Sequence, residues 1–132
     1  MEIIIHVEKR KLDSLYAQAI AEYAKRLSPF CKYKLITYKD FSKISAKETS
    51  SLYLVVPGMH TLSSEEFAAC IENEGLSGQS RLEFIICEHG FPKAAKQLSI
   101  SGFAMSCDLT AVVLTEQLYR AYTILNHITY HK

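Results

Sequence analysis

Arg120, His127, Tyr130, His131 and Lys132 crowd the end of this sequence, placing imidazole and phenol proton carriers beside two cations. An unperturbed histidine titrates near ~6.5, so it takes or gives a proton at neutral pH. His131 is therefore a candidate base. Tyr130 can stack on, or hydrogen bond to, an aromatic ligand, and Arg120 can hold a phosphate. Each also has a plainer use. A terminal histidine frays, a tyrosine packs at a seam, and Arg120 lies four residues after Glu116, the spacing of a helix-surface ion pair. A second group sits near the middle of the chain. Glu88 offers a carboxylate to a cation, and His89 beside it has the plainer reading of a solvated loop residue. Cys87 and Cys107 would make a redox pair, although small buried thiols are the commoner use of cysteine.

The elements that must position these groups follow from hydrophobic period and caps. Met1–Val7 is a β-branched run and a buried strand. Asp13 or Ser14 caps a helix whose apolar face is Leu15, Ala19, Ile20, Tyr23, Ala24 and Leu27, and Pro29 ends it. Tyr33–Tyr38 is a second strand. A polar, Lys- and Ser-rich connector fills 39–50. Leu52–Val56 is a third strand, closed by Pro57-Gly58. Ser63 or Ser64, followed by Glu65 and Glu66, starts a helix that ends near Gly75. Leu82–Cys87 is a fourth strand. A short helix is expected around Ala94–Leu98, and a fifth strand over Ile100–Met105 with Gly102 inside it. Asp108 caps a long last helix, which runs into a short polar tail. Alternation of this kind predicts an α/β sheet with several parallel strands. Such sheets bind ligands at the carboxyl ends of their strands. Here those loops are 56–60, 87–91 and 106–108.

At 132 residues, one domain over 1–132 is expected. A net charge of +1 gives no global pull toward nucleic acid or membrane, so any phosphate contact needs a local patch. Basic residues do cluster, at Lys9-Arg10-Lys11, Lys25-Arg26, Lys32 to Lys39 and Arg120 to Lys132. No two of the four cysteines fall within CxxC range, which argues against zinc and thioredoxin chemistry. Without a signal-peptide pattern or a run long enough for a membrane span, free thiols in a reducing cytoplasm are the expectation.

The stretch Leu118-Tyr-Arg-Ala-Tyr122, with Tyr130-His131 and a basic last residue, resembles the C-terminus of the RlmH family. These are the pseudouridine N3-methyltransferases of large-subunit ribosomal RNA, within the SPOUT superfamily. Leu54-Val-Val-Pro-Gly58 is similar to the family's strand-turn region, Ser63-Ser-Glu-Glu-Phe67 to its next helix start, and Glu116–Ala121 to its last helix. The resemblance implies a mainly parallel α/β sheet flanked by helices, with a deep C-terminal trefoil knot. It implies a homodimer that binds S-adenosylmethionine in three knot loops, needs no metal and no membrane, and acts on the large ribosomal subunit. The implied cofactor residues are Leu54, then Cys87, Glu88 and Gly90 in the fourth-strand loop. Ile100, Ser101, Gly102, Phe103, Ala104 and Met105 correspond to the segment that contacts adenine. Arg120, Tyr130 and His131 would sit near the donor methyl and the other subunit.

The departures fall on loops. The family's fourth-strand loop carries Gly-Gly-Pro-x-Gly, and here the same place reads Ile86-Cys-Glu-His-Gly90. Paired glycines let backbone approach a ligand closely; Ile86 and Cys87 add side chains there. Ser106-Cys107 stands where the family has a Thr-His or Pro-His pair, so that histidine is absent, and His127-Ile-Thr129 stands where it has Asn-His-Pro. Two readings follow: a methyltransferase, or a non-catalytic relative that binds RNA or protein as a knotted dimer. Side chains of Ile86, Cys87 or Phe91 filling the pocket would favour the second.

Overall fold

The computed structural model describes residues 1–44, 51–91 and 95–130. Residues 45–50 of the expected connector, Ala94 of the expected short helix, and His131 lie outside the described residues. The strands are β1 (Glu2–Val7), β2 (Lys32–Thr37), β3 (Ser51–Val55), β4 (Arg81–Ile86) and β5 (Lys96–Leu98). The helices are α1 (Ser14–Leu27), α2 (Ser64–Leu76) and α3 (Cys107–Leu125), with one 3₁₀ turn at Phe41–Lys43. All strand pairs are parallel, in the order β2-β1-β4-β3-β5.

Alternation along the strands divides the core. Ile3, Ile5, Val7, Tyr53, Val55, Leu82, Phe84 and Ile86 pack with residues of α1, α2 and α3. Ile85 joins Phe41 and Ile44 in a second cluster, with Leu52, Leu54 and Phe91 against it. Because β1 is covered on both faces, it reads as a continuous apolar run rather than an alternating one. On the face away from the helices, His6 Nε2 lies 2.8 Å from Glu83 Oε1, and His6 Nδ1 2.8 Å from the Tyr38 hydroxyl.

Side-chain caps explain where α2 and α3 begin, whereas Asp13 precedes α1 without a side-chain cap hydrogen bond. Ser63 Oγ accepts from Glu66 N (3.1 Å) while Glu66 Oε1 accepts from Ser63 N (3.0 Å), a reciprocal box. Ser106, not Asp108, caps α3: its Oγ accepts from Leu109 N (3.2 Å), which places Asp108 in the first turn. At the far end, His127 takes φ 55°. Ile128 N donates to Thr123 O (2.9 Å) and His127 N to Ile124 O (3.2 Å). That pattern closes a helix through one left-handed residue, so His127 is used as a helix stop.

Three expectations are corrected. Leu15 is 77% exposed, because it lies about 100° off the stripe of Tyr16, Ile20, Tyr23 and Leu27. Lys96–Leu98 is a strand, since the open edge of β3 offers Tyr53–Val55 as partners. Ile100–Met105 is irregular backbone and not a strand. A buried carboxylate secures the short β5. Glu74 accepts from the Ser51 and Tyr53 hydroxyls and from Lys96 Nζ (2.9 Å). Burial alone would raise its pKa, but those donors hold it below the usual carboxylate range.

Candidate active site

The carboxyl ends of β1, β3 and β4 open into a cavity of about 410 Å³, within the size range of small-molecule sites. Glu8 and Lys9 enter it from β1, Val55–Pro57 from β3, and Ile86–Glu88 from β4. The 100–106 loop and the first turn of α3 complete the wall. Ile86 and Cys87 line this space without closing it, and Phe91 packs edge-on against Phe41 in the second cluster.

Side chains far apart in sequence tie the rim together. Lys9 Nζ donates to Asp108 Oδ1 (2.6 Å), and Asp13 N to Asp108 Oδ2 (2.9 Å), fixing the loop after β1 on the start of α3. Burial pushes the Asp108 pKa up, but the Lys9 ammonium and the Asp13 amide outweigh it, so the carboxyl lies below its ordinary range. Glu8 Oε1 accepts from Glu88 N (2.8 Å) and His89 N (3.0 Å), holding the loop after β4. Gly90 completes that loop at φ 98°, a conformation that favours glycine.

The loops after β3 and β5 interlock through Gly58 N to Ser101 O (3.1 Å) and Leu62 N to Ser99 O (3.3 Å). A Cβ on Gly58 would lie 2.5 Å from Ser99 Oγ and 3.2 Å from Ser99 Cβ. We expect Gly58→Ala to cost about 1–2 kcal/mol through overpacking. Adding Ser99→Gly should return most of that loss, measured as a double-mutant cycle by urea unfolding. Simple additivity would remove the steric explanation.

Of the residues expected at a cofactor site, Cys87, Glu88, Ile100, Ser101, Phe103, Ala104 and Met105 line the cavity. Gly102 lies between the lining residues Ser101 and Phe103, and Gly90 two positions beyond Glu88, but neither glycine is part of the wall. Leu54 packs in the cluster on the opposite face of the sheet, because its neighbours Tyr53 and Val55 take the helix-facing positions of β3. Sequence reasoning missed Glu8 and Lys9 as wall residues; it placed Asp108 in a strand-end loop but read its side chain as a cap and not as the partner of Lys9. The one signal for Glu8 was an acid directly after an apolar strand. Burial raises the pKa of both cavity thiols, Cys87 and Cys107, and nearby carboxylates add to it. They are protonated at neutral pH and poor nucleophiles.

Arg120 and Tyr130 come together elsewhere. Arg120 Nε and Nη2 donate to Glu116 Oε1 (3.1 and 2.5 Å), and its guanidinium carbon lies 4.9 Å from the Tyr130 ring centre. The Tyr130 hydroxyl donates to the same Glu116 oxygen (3.2 Å), and its ring meets Tyr119 edge-on at 5.0 Å. Burial, then Tyr23 and Glu116, pushes the Tyr130 pKa well up. The phenol therefore donates and does not act as a base. Arg120 sits twelve residues along α3 from Asp108, an axial separation of about 18 Å. Within one chain, this cluster and the cavity are separate.

A parallel sheet with its cavity at the strand carboxyl ends, bounded by the start of the last helix, defines a class. The family model described as "Predicted SPOUT methyltransferase" matches residues 1–131, and the chain belongs to this family. Among individual relatives, it is 35% identical to Ribosomal RNA large subunit methyltransferase H 1 of Thermoanaerobacter sp. (strain X514), over 100% of both chains. It is 32% identical to Ribosomal RNA large subunit methyltransferase H of Limosilactobacillus reuteri (strain DSM 20016), over 98% of each chain. It is 33% identical to the protein of that name from Finegoldia magna, again over 98% of each. Among the described residues, no cluster of three or more His, Cys, Asp or Glu could hold a metal, and no helix is long and apolar enough to cross a membrane.

Proposed function

We propose that this protein transfers a methyl group from S-adenosylmethionine to ribosomal RNA of the large subunit, with N3 of a pseudouridine as acceptor. It acts in the cytoplasm as a homodimer of one-domain chains, with the C-terminal segment threaded as a trefoil knot. The observation that carries this reading is the open cavity. In a chain matched by the methyltransferase family over 1–131, the side chains that replace the paired glycines leave about 410 Å³ free.

The residues present fit the cofactor. Val55, Ile100 and Met105 give apolar surface for an adenine, and Glu8 and Glu88 give carboxylates for the positive charge of the ligand. When bound, S-adenosylmethionine supplies a methyl group already activated by its sulfonium. The chain's own work is orientation and proton removal. His131 takes the N3 proton. Tyr130, kept as a phenol, gives the base a stacking or donor surface. Arg120, oriented by Glu116, meets RNA phosphate. The separation of about 18 Å between tail cluster and cavity supports a site completed by two chains, each tail serving its partner's cavity.

Calorimetric titration with S-adenosylmethionine, paired with transfer of labelled methyl to large subunits lacking the modification, tests this. Micromolar binding and one methyl per subunit are expected. A folded protein that binds no cofactor at millimolar ligand would sink the reading and leave a non-catalytic binding module, the alternative that the lost glycines favour.

A further inference from the structure

We infer that Glu8 is the residue by which this cavity tells a cationic ligand from its neutral counterpart, S-adenosylmethionine from S-adenosylhomocysteine. The inference rests on the cofactor reading above and goes beyond it to a specificity determinant.

Glu8 follows β1 directly, is only 8% exposed, and lines the cavity. Its carboxylate is half used. Oε1 accepts from the Glu88 and His89 amides and has His89 Nδ1 at 3.7 Å. Among the described residues, Oε2 accepts no hydrogen bond. Oε2 is not shut away from solvent, so it remains available to a positive group of a ligand in the cavity.

The cavity's own charges do not supply that group. Lys9 is its one lysine or arginine, and Lys9 is engaged by Asp108 at 2.6 Å. The ring of His89 is 78% exposed and turned to solvent. Cys87 and Cys107 are neutral thiols. Glu8 and Glu88 are left as surplus negative charge in the wall. Of the two, Glu8 is the buried one, where screening is weakest and a charge difference in the ligand is felt most.

The two ligands differ at one atom in the sense needed here. Both carry an ammonium and a carboxylate, but only the methyl donor has a positive sulfur; the spent molecule is a neutral thioether. Attraction to Glu8 would therefore hold the donor and weaken once the methyl is gone, which favours exchange of product for fresh donor.

Calorimetry with both ligands on the full chain tests this, using Glu8→Gln as the main variant. The glutamine carbonyl still accepts the Glu88 and His89 amides, so the loop stands. Wild-type protein is expected to bind S-adenosylmethionine at least tenfold tighter than S-adenosylhomocysteine. In Glu8→Gln, S-adenosylhomocysteine affinity should stay within about twofold while the preference collapses. Equal affinities in the wild type would overturn the inference and leave the methyltransferase reading intact. A preference that survives Glu8→Gln, or that disappears instead in Glu88→Gln, would also overturn it. If Glu8→Gln weakens both ligands alike, Glu8 reads the shared ammonium or only shapes the loop, and the inference fails. Failure of the wild type to bind either ligand removes the cofactor reading itself.

Discussion

Replacing Asp108 with alanine should lower stability by about 2–3 kcal/mol, with a Tm fall of roughly 10 °C. Asp108 is 2% exposed and accepts from Lys9 Nζ and from Asp13 N at the first turn of α3. Truncation leaves the amide without its acceptor and removes an acid from the positive end of a nineteen-residue helix. The pH dependence has a definite sign. The folded-state pKa is depressed, so the stabilisation is fully present above the unfolded value near ~3.9 and is lost as pH falls through the folded value. Asp108→Asn should show a shallower acid loss than wild type. Glu66 and Glu74 are depressed as well, so the difference between the two proteins isolates Asp108. Parallel acid-unfolding curves would contradict this account.

His131→Ala should reduce kcat by about 10²-fold or more, the scale of a lost general base, while cofactor affinity at the cavity changes little. If the site is shared between chains, a second defect can be separated from the first. Ala104 lines the cavity, and Ala104→Trp blocks it. Each variant alone is inactive as a dimer. Co-expressed in equal amounts, half of the dimers pair one of each, and one of their two sites carries both defects while the other carries none. Activity should therefore return to about a quarter of wild type. Failure to recover activity in purified mixed dimers would place tail and cavity of one site on the same chain.

Long-period features were legible in the sequence. The β-branched run of β1, the Ser63–Glu66 box and the apolar stripe of α3 announce themselves within a dozen residues, because the interactions that fix them are local. The cavity was legible only as three loops. Lys9 and Asp108 are 99 positions apart, and nothing in either neighbourhood signals the other. β5 escaped notice because three residues carry no period; its strand character comes from the free edge of β3 and from Glu74 clamping Lys96. Leu54 was misplaced for a related reason. β3 is apolar at every position after Ser51 although its burial alternates, so its sequence does not say which side a residue faces.

The position of α3 has a consequence for biosynthesis. Its Ala111, Leu114, Leu118 and Ala121 are wholly buried, and it packs on α1, α2, β1 and β4 at once. Among the described elements, α3 is made after all the others, and it is the keystone of their core. During synthesis, β1, α1 and β2 can associate early, but β1 waits for β4 to cover its second edge. Both then wait for the final helix. Emerging chains expose Ile3, Ile5, Phe84 and Ile86 until α3 clears the ribosome and shields them. Acquisition of protease resistance should therefore coincide with the emergence of α3 from the translating ribosome, and not with the appearance of any earlier helix or strand.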